Sequence, residues 1–139
     1  MAQHKADLII QASPQQVFTA LTQPDLVQRW QYNKQLMTDW TPGSGIRFRA
    51  WFNNTLLEQW GTVLEYRPGE CIKYTLFTPK PGLQDVPENY HTTTYTLHAE
   101  GKGTRVELTQ EDEGINTFVP VSLIPILAQL KKTVEEGLA

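Results

Sequence analysis

A single cysteine, Cys71, leaves the chain without an internal disulfide, so whatever holds the fold must come from packing. No run of about 18 apolar residues occurs, and a membrane-spanning helix is not expected. Residues 1–10, MAQHKADLII, contain no long apolar core ahead of a small-residue cleavage site. No secretory signal is expected, and the chain reads as soluble and cytoplasmic. A basic surplus is missing too: 12 Lys and Arg stand against 15 Asp and Glu, a formal charge of −3. Neutralising phosphates needs clustered Lys and Arg, so no nucleic-acid partner is expected. The nearest clusters, Arg47 with Arg49 and Lys131 with Lys132, read as solvated faces of a strand and a helix. The acidic run Glu111-Asp112-Glu113 reads as a strand end in water.

Histidines are equally scarce. His4, His91 and His98 form no i,i+4 pair and no Cys/His cluster, so no metal site is expected. His91 and His98 are an odd number apart and fall on opposite faces of one strand. There is no glycine-rich phosphate loop, and no cofactor is expected; there is no G-x-S-x-G elbow for a serine nucleophile either. Cys71 opens an apolar run beside Ile72, where a buried and inert thiol is the expectation.

What remains is an ordinary globular composition. The 139 residues are 40% hydrophobic and 19% charged, enough for one domain over 1–139 that needs neither metal nor disulfide. Residues 6–10 read as a strand. Ser13-Pro14 then starts a helix, with Ser13 as N-cap, Pro14 at the first helical position and Gln16 completing a capping box. Val17, Phe18 and Leu21 supply its apolar face. Pro24 ends this helix and begins a second, with Leu26, Val27 and Trp30 on one side. Leu36 and Trp40 are expected in a short strand that stops at Thr41-Pro42-Gly43. Ile46, Phe48, Ala50 and Phe52 alternate with Arg47, Arg49 and Trp51 as a half-buried strand. Asn53-Asn54 turns the chain into a long strand over 56–66, broken by Pro68-Gly69. Ile72, Tyr74 and Leu76 alternate with Lys73, Thr75 and Phe77. After an irregular stretch over 78–88, with prolines at 79, 81 and 87, strands are expected at 90–99 and 104–110, joined by Gly101-Lys102-Gly103. The end is a helix from about Ile124, and Leu123, Ile126, Leu127, Leu130, Val134 and Leu138 form one wide apolar stripe. Residues 117–121 are expected to add a looser first turn.

Strands joined by tight turns make an antiparallel sheet, and one amphipathic helix must bury its stripe on the sheet's concave face. A bent sheet and a straight helix fit poorly along their length, so a cavity is expected between them. The fold class is therefore α+β.

The chain resembles the START/Bet v 1-like superfamily, in particular the small proteins similar to the C-terminal domain of the Hsp90 ATPase activator. The resemblance is carried by Ala12-Ser13-Pro14-Gln15-Gln16-Val17-Phe18-Thr19-Ala20-Leu21-Thr22, then by Gln23-Pro24-Asp25-Leu26 with Trp30. It continues in Gly61, Val63, Glu65 and Pro68, in Ile72-Lys73-Tyr74-Thr75, and in Gly103-Thr104-Arg105-Val106-Glu107-Leu108-Thr109. It ends with Leu127, Leu130 and Val134. It implies the helix-grip fold. The chain departs from the family's pattern at Ser122-Leu123 and at Trp30-Gln31, both near the pocket entrance in the family, so a ligand type does not transfer. Relatives of this superfamily include lipid and hormone carriers, cyclases and co-chaperone domains.

For the site, Trp40, Phe48, Trp60, Tyr74, Tyr95, Phe118 and Leu127 are expected around a ligand, with Tyr74 and Tyr95 each offering a ring and one hydroxyl. Buried tyrosines bonded to backbone are the competing reading. His91 is the titratable candidate at the entrance, against an exposed position at a strand edge. No catalytic residue is assigned. Glu58 and Glu65, seven apart, fall on opposite faces of a regular strand; Glu65 either projects inward beside Val63 or ends the strand near Arg67. The loop 78–88 is expected to flank the pocket mouth. Three functions follow: binding of a small hydrophobic or aromatic molecule; a protein-interaction module or homodimer, with Trp51 as the contact; or a cyclase- or hydrolase-type enzyme using the same pocket. They are preferred in that order.

Overall fold

The computed structural model describes residues 2–31, 33–112 and 123–137. A first strand, β1 (Ala2–Ile10), leads into α1 (Pro14–Thr22) and α2 (Pro24–Trp30). The strands β2 (Gln35–Met37), β3 (Gly45–Phe52), β4 (Thr55–Arg67), β5 (Cys71–Leu76), β6 (His91–Glu100) and β7 (Gly103–Asp112) follow, and α3 (Ile124–Gly137) ends the chain. A short 3-10 turn, Pro87–Asn89, precedes β6. The strands form one antiparallel sheet in the order β1-β7-β6-β5-β4-β3-β2. α1 and α2 therefore carry the chain from one edge of the sheet to the other, across its concave side.

Local chemistry sets these elements. Ser13 accepts from the Gln16 backbone N–H, and the Gln16 side chain returns the bond to Ser13, the expected capping box. Asn53 and Asn54 both take positive φ, the twist that a two-residue hairpin between β3 and β4 requires. The concave face buries Ile10, Ile46, Val63, Ile72, Val106 and Leu108 against Val17 and Leu21 of α1, Val27 of α2, and Leu127, Leu130 and Val134 of α3. Each fully buried aliphatic side chain contributes on the order of 1.5–3 kcal/mol. This is the expected helix-grip arrangement. Leu138 and residues 117–121 lie outside the described residues.

Two expectations are corrected. The second strand stops at Met37, and Trp40 lies beyond it with φ 62°. That left-handed backbone turns the indole inward, where Nε1 donates to the Thr22 carbonyl at 3.1 Å and the ring stacks on Tyr66. The long strand β4 is not regularly pleated. A bulge shifts its register between Val63, opposite Tyr74, and Glu65, opposite Lys73. Val63 and Tyr66 thus both face inward, and Glu65 points to the convex face. Glu58 is on that face as well, bonded to Arg47, so the two glutamates share a face rather than opposing each other.

Candidate functional site

β6 is the floor of the site. Its residues His91, Thr93, Tyr95 and Leu97 are buried and alternate with less buried threonines, so the first three present side chains to the concave side. Register then sets the neighbours. Tyr74 of β5, Thr93 of β6 and Gln110 of β7 are successive cross-strand partners, and the adjoining row runs Leu76, His91, Asp112. The sheet thus gathers a polar patch in what is otherwise an apolar core. Thr93 Oγ1 and Gln110 Oε1 are buried there without a hydrogen-bond partner. Leaving such a group unsatisfied costs about 1–3 kcal/mol, which asks for an explanation beyond stability.

Above this floor lies a cavity of about 160 Å³, bounded by Trp30 and Gln31 at the end of α2, Lys34, Phe48, Gln59, and Ile126 of α3. The other described residues that line it are Tyr74, Leu76, His91, Thr93, Tyr95 and Gln110. The Trp30 indole is locked by donating to the Ala20 carbonyl at 2.8 Å, and its ring meets Tyr95 edge-on, centroids 6.1 Å apart. Tyr74 packs against both Trp40 and Phe48. These contacts hold the aromatic walls in fixed orientations.

Burial governs the site's electrostatics. Desolvation pushes the hydroxyls of Tyr74 and Tyr95 up, so both stay protonated as donors at neutral pH. It lowers the pKa of His91, an effect that Asp112 opposes and Lys34 reinforces, so the imidazole is neutral at pH 7. Burial lowers Lys34 as well. Its Nζ donates to Gln59 Oε1 at 3.3 Å and sits 5.9 Å from the centroid of the Phe48 ring. Among the described residues no group of three or more His, Cys, Asp or Glu gathers as metal ligands would.

A second, more open groove of about 480 Å³ adjoins the cavity and shares Lys34, Phe48 and Gln59 with it. Arg49, Leu56, Glu58, Trp60, Thr78 and Pro79 also line it.

Of the residues expected around a ligand, Phe48, Tyr74, His91 and Tyr95 line the cavity. His91 is 5% exposed, not an exposed strand-edge residue, because its parity on β6 turns it inward. His98, on the opposite face, is exposed beside Glu107 at 3.3 Å. Trp40 and Leu127 are core residues behind the lining. Trp60 belongs to the convex face, where it packs on Phe77 beneath Arg47 and donates to Asp85 at 3.0 Å. Asp85 also accepts from the Tyr90 hydroxyl at 2.6 Å. The loop 78–88 is therefore tied over the convex face, and only Thr78 and Pro79 reach the groove. Phe118 lies outside the described residues. Sequence reasoning passed over Lys34, Gln59, Thr93 and Gln110; Trp30, near the entrance by resemblance, and Ile126, in the stripe of the last helix, were not named as ligand contacts but line the cavity. Strand parity from Tyr95 and Leu108 signalled Thr93 and Gln110; nothing local marked Lys34. Cys71 is buried at the far end of β5, 3.9 Å from Glu65 Oε2, away from the cavity.

Residues 11–138 match the family described as Activator of Hsp90 ATPase homolog 1-like protein. No curated protein matches the chain. Among solved structures, protein ChR145 from Cytophaga hutchinsonii is 28% identical with a TM-score of 0.70, over 99% of this chain and 91% of that one. Protein CV1439 from Chromobacterium violaceum is 22% identical with a TM-score of 0.79, over 96% of each chain. Ara h 8.0201 is 11% identical with a TM-score of 0.71, over 99% of this chain and 97% of that one, a likeness of fold alone. No helix of the described residues is long and apolar enough to cross a membrane.

Proposed function

The chain belongs to the Activator of Hsp90 ATPase homolog 1-like family, and from that starting point we propose that it binds a small hydrophobic or aromatic molecule between the sheet and its helices. The observation that carries this reading is the cavity itself: aromatic walls held by their own contacts, over a floor with two unsatisfied buried polar atoms. A binding site of this kind combines apolar surface for affinity with few polar groups for orientation. Among the described residues no nucleophile–base pair and no pair of carboxylates lines the cavity, so binding accounts for it better than catalysis.

The test begins with native mass spectrometry of protein purified from its own host, followed by titration with single-ring aromatic compounds under tryptophan fluorescence. A co-purified small molecule is expected, or saturable quenching that weakens at least tenfold when Tyr95→Ala removes one wall while circular dichroism shows the fold intact. Protein that is both empty and unquenched would overturn the reading. Contact with another protein would then come first, through Trp51, which stands 69% exposed near the β3–β4 hairpin.

A further inference from the structure

We propose that the molecule held in the cavity is a small aromatic acid, its ring between Trp30, Phe48 and Tyr95 and its carboxylate on the Lys34 ammonium. The inference rests on the reading of the cavity as a binding site and goes further by naming the chemistry of the occupant.

Size is the first constraint. At about 160 Å³ the cavity is well below the roughly 300–1,000 Å³ of sites for drug-sized ligands. It matches the apolar cavity of about 150 Å³ that accepts benzene in an engineered protein. One ring fills it, and a steroid or a long acyl chain would have to extend into the adjoining groove.

Charge is the second. Among the described residues that line the cavity Lys34 carries the one ammonium, and there is no carboxylate. Lys34 makes no ion pair with a described residue. An ammonium has three donors, and the described partners are Gln59 Oε1 and the face of the Phe48 ring. A half-buried cation without a counter-charge is costly, and an anionic ligand removes that cost as it binds. Asp112, the nearest buried carboxylate on the floor, is paired in register with His91 and does not line the cavity. Its charge acts on His91.

Position is the third. Lys34 and Gln59 stand where the cavity meets the open groove. A ring inserted from the groove leaves its carboxylate at this junction, on Nζ and partly in water, so the charge never enters the apolar interior. The unpartnered Thr93 hydroxyl and Gln110 carbonyl lie deeper and are available to polar substituents on the ring.

The experiment titrates the full chain at pH 7 with benzoate, benzamide and toluene, probes of one shape that differ in charge and polarity. Each is measured by calorimetry on wild type, Lys34→Met and Lys34→Gln, with circular dichroism confirming the fold. Wild type is expected to bind benzoate at least tenfold more tightly than benzamide. Both variants are expected to lose that preference while keeping their affinity for toluene. Equal or tighter binding of benzamide or toluene by wild type overturns the acid and leaves the cavity as a binding site. A benzoate preference that survives in both variants overturns Lys34 as its partner. Binding of none of the three probes overturns this inference together with the proposed function.

Discussion

At the scale of single residues, the site is governed by what burial does to groups that would be charged in water. His91 is the clearest case, because the cavity floor keeps its imidazole neutral. Its folded pKa lies below the ordinary value of 6.5, so between that lowered value and 6.5 the unfolded chain holds a proton that the native chain lacks. Stability contributed by the neutral form is complete above pH 6.5 and is lost as the pH falls through this window. Urea unfolding of wild type is expected to show a midpoint that declines between pH 7 and pH 5, and His91→Gln should decline less. Identical slopes for the two proteins would remove His91 as the cause. Lys34 has the same sign at the alkaline end: its lowered pKa means that stability rises with pH in the range just below 10.5. Trp30 shows a different device at this scale, since its indole bond to Ala20 fixes a cavity wall without any charge.

At the scale of elements, β4 decides the shape of the site. Its first half pairs with β3 and turns Gln59 toward the concave side opposite Phe48, and its second half pairs with β5. The bulge after Val63 allows Val63 and Tyr66 to face inward although they are three apart. Gly61 makes the close approach of β4 and β5 possible, because a Cβ there would stand 1.8 Å from the Thr75 carbonyl oxygen. The atoms it would meet are backbone of Thr75 and Leu76, which leaves nothing flexible to give way. Gly61→Ala is expected to destabilise the protein by at least about 3 kcal/mol, or to prevent folding, as backbone strain of this kind does. Gly137, with nothing within 4 Å of its Cβ position, is the matched control. Gly137→Ala should stay within about 0.5 kcal/mol of wild type in the same denaturation series.

At the scale of the whole molecule, α3 is the element that covers the curved sheet and bounds the cavity on one side. It runs along β1 and against α1 and α2, and it places Ile126 on the cavity while Leu127, Leu130 and Val134 seal the core behind. Leu127 has no exposed surface. Leu127→Ala is expected to cost about 2–5 kcal/mol in equilibrium unfolding, the range for a buried leucine whose neighbours relax only partly. The folded variant should still bind single-ring compounds, since Leu127 does not touch the cavity. A variant as stable as wild type would mean that α3 packs more loosely than this arrangement implies.

The sequence by itself determined the order of elements, because each signal is local. Ser13-Pro14 with Gln16 starts a helix, Asn53-Asn54 makes a hairpin turn, and the stripe Leu127, Leu130, Val134 needs a face to cover. Part of the site was legible in the same way: parity along β6 and β5 puts Tyr74, His91 and Tyr95 on one side, whichever side that is. Only the tertiary structure decided which side is the interior of β4, because one extra residue at a bulge reverses the alternation and leaves no mark in composition. It decided that Trp60 serves the convex face, through partners as distant in the chain as Asp85. It also brought Lys34, from the segment before β2, over a floor built by β5, β6 and β7. A lysine in a polar stretch reads as solvated until the fold closes around it. Chain spacing fixes local geometry, whereas the charge and size of a cavity depend on residues whose separation is set only when the sheet curls and the helix covers it.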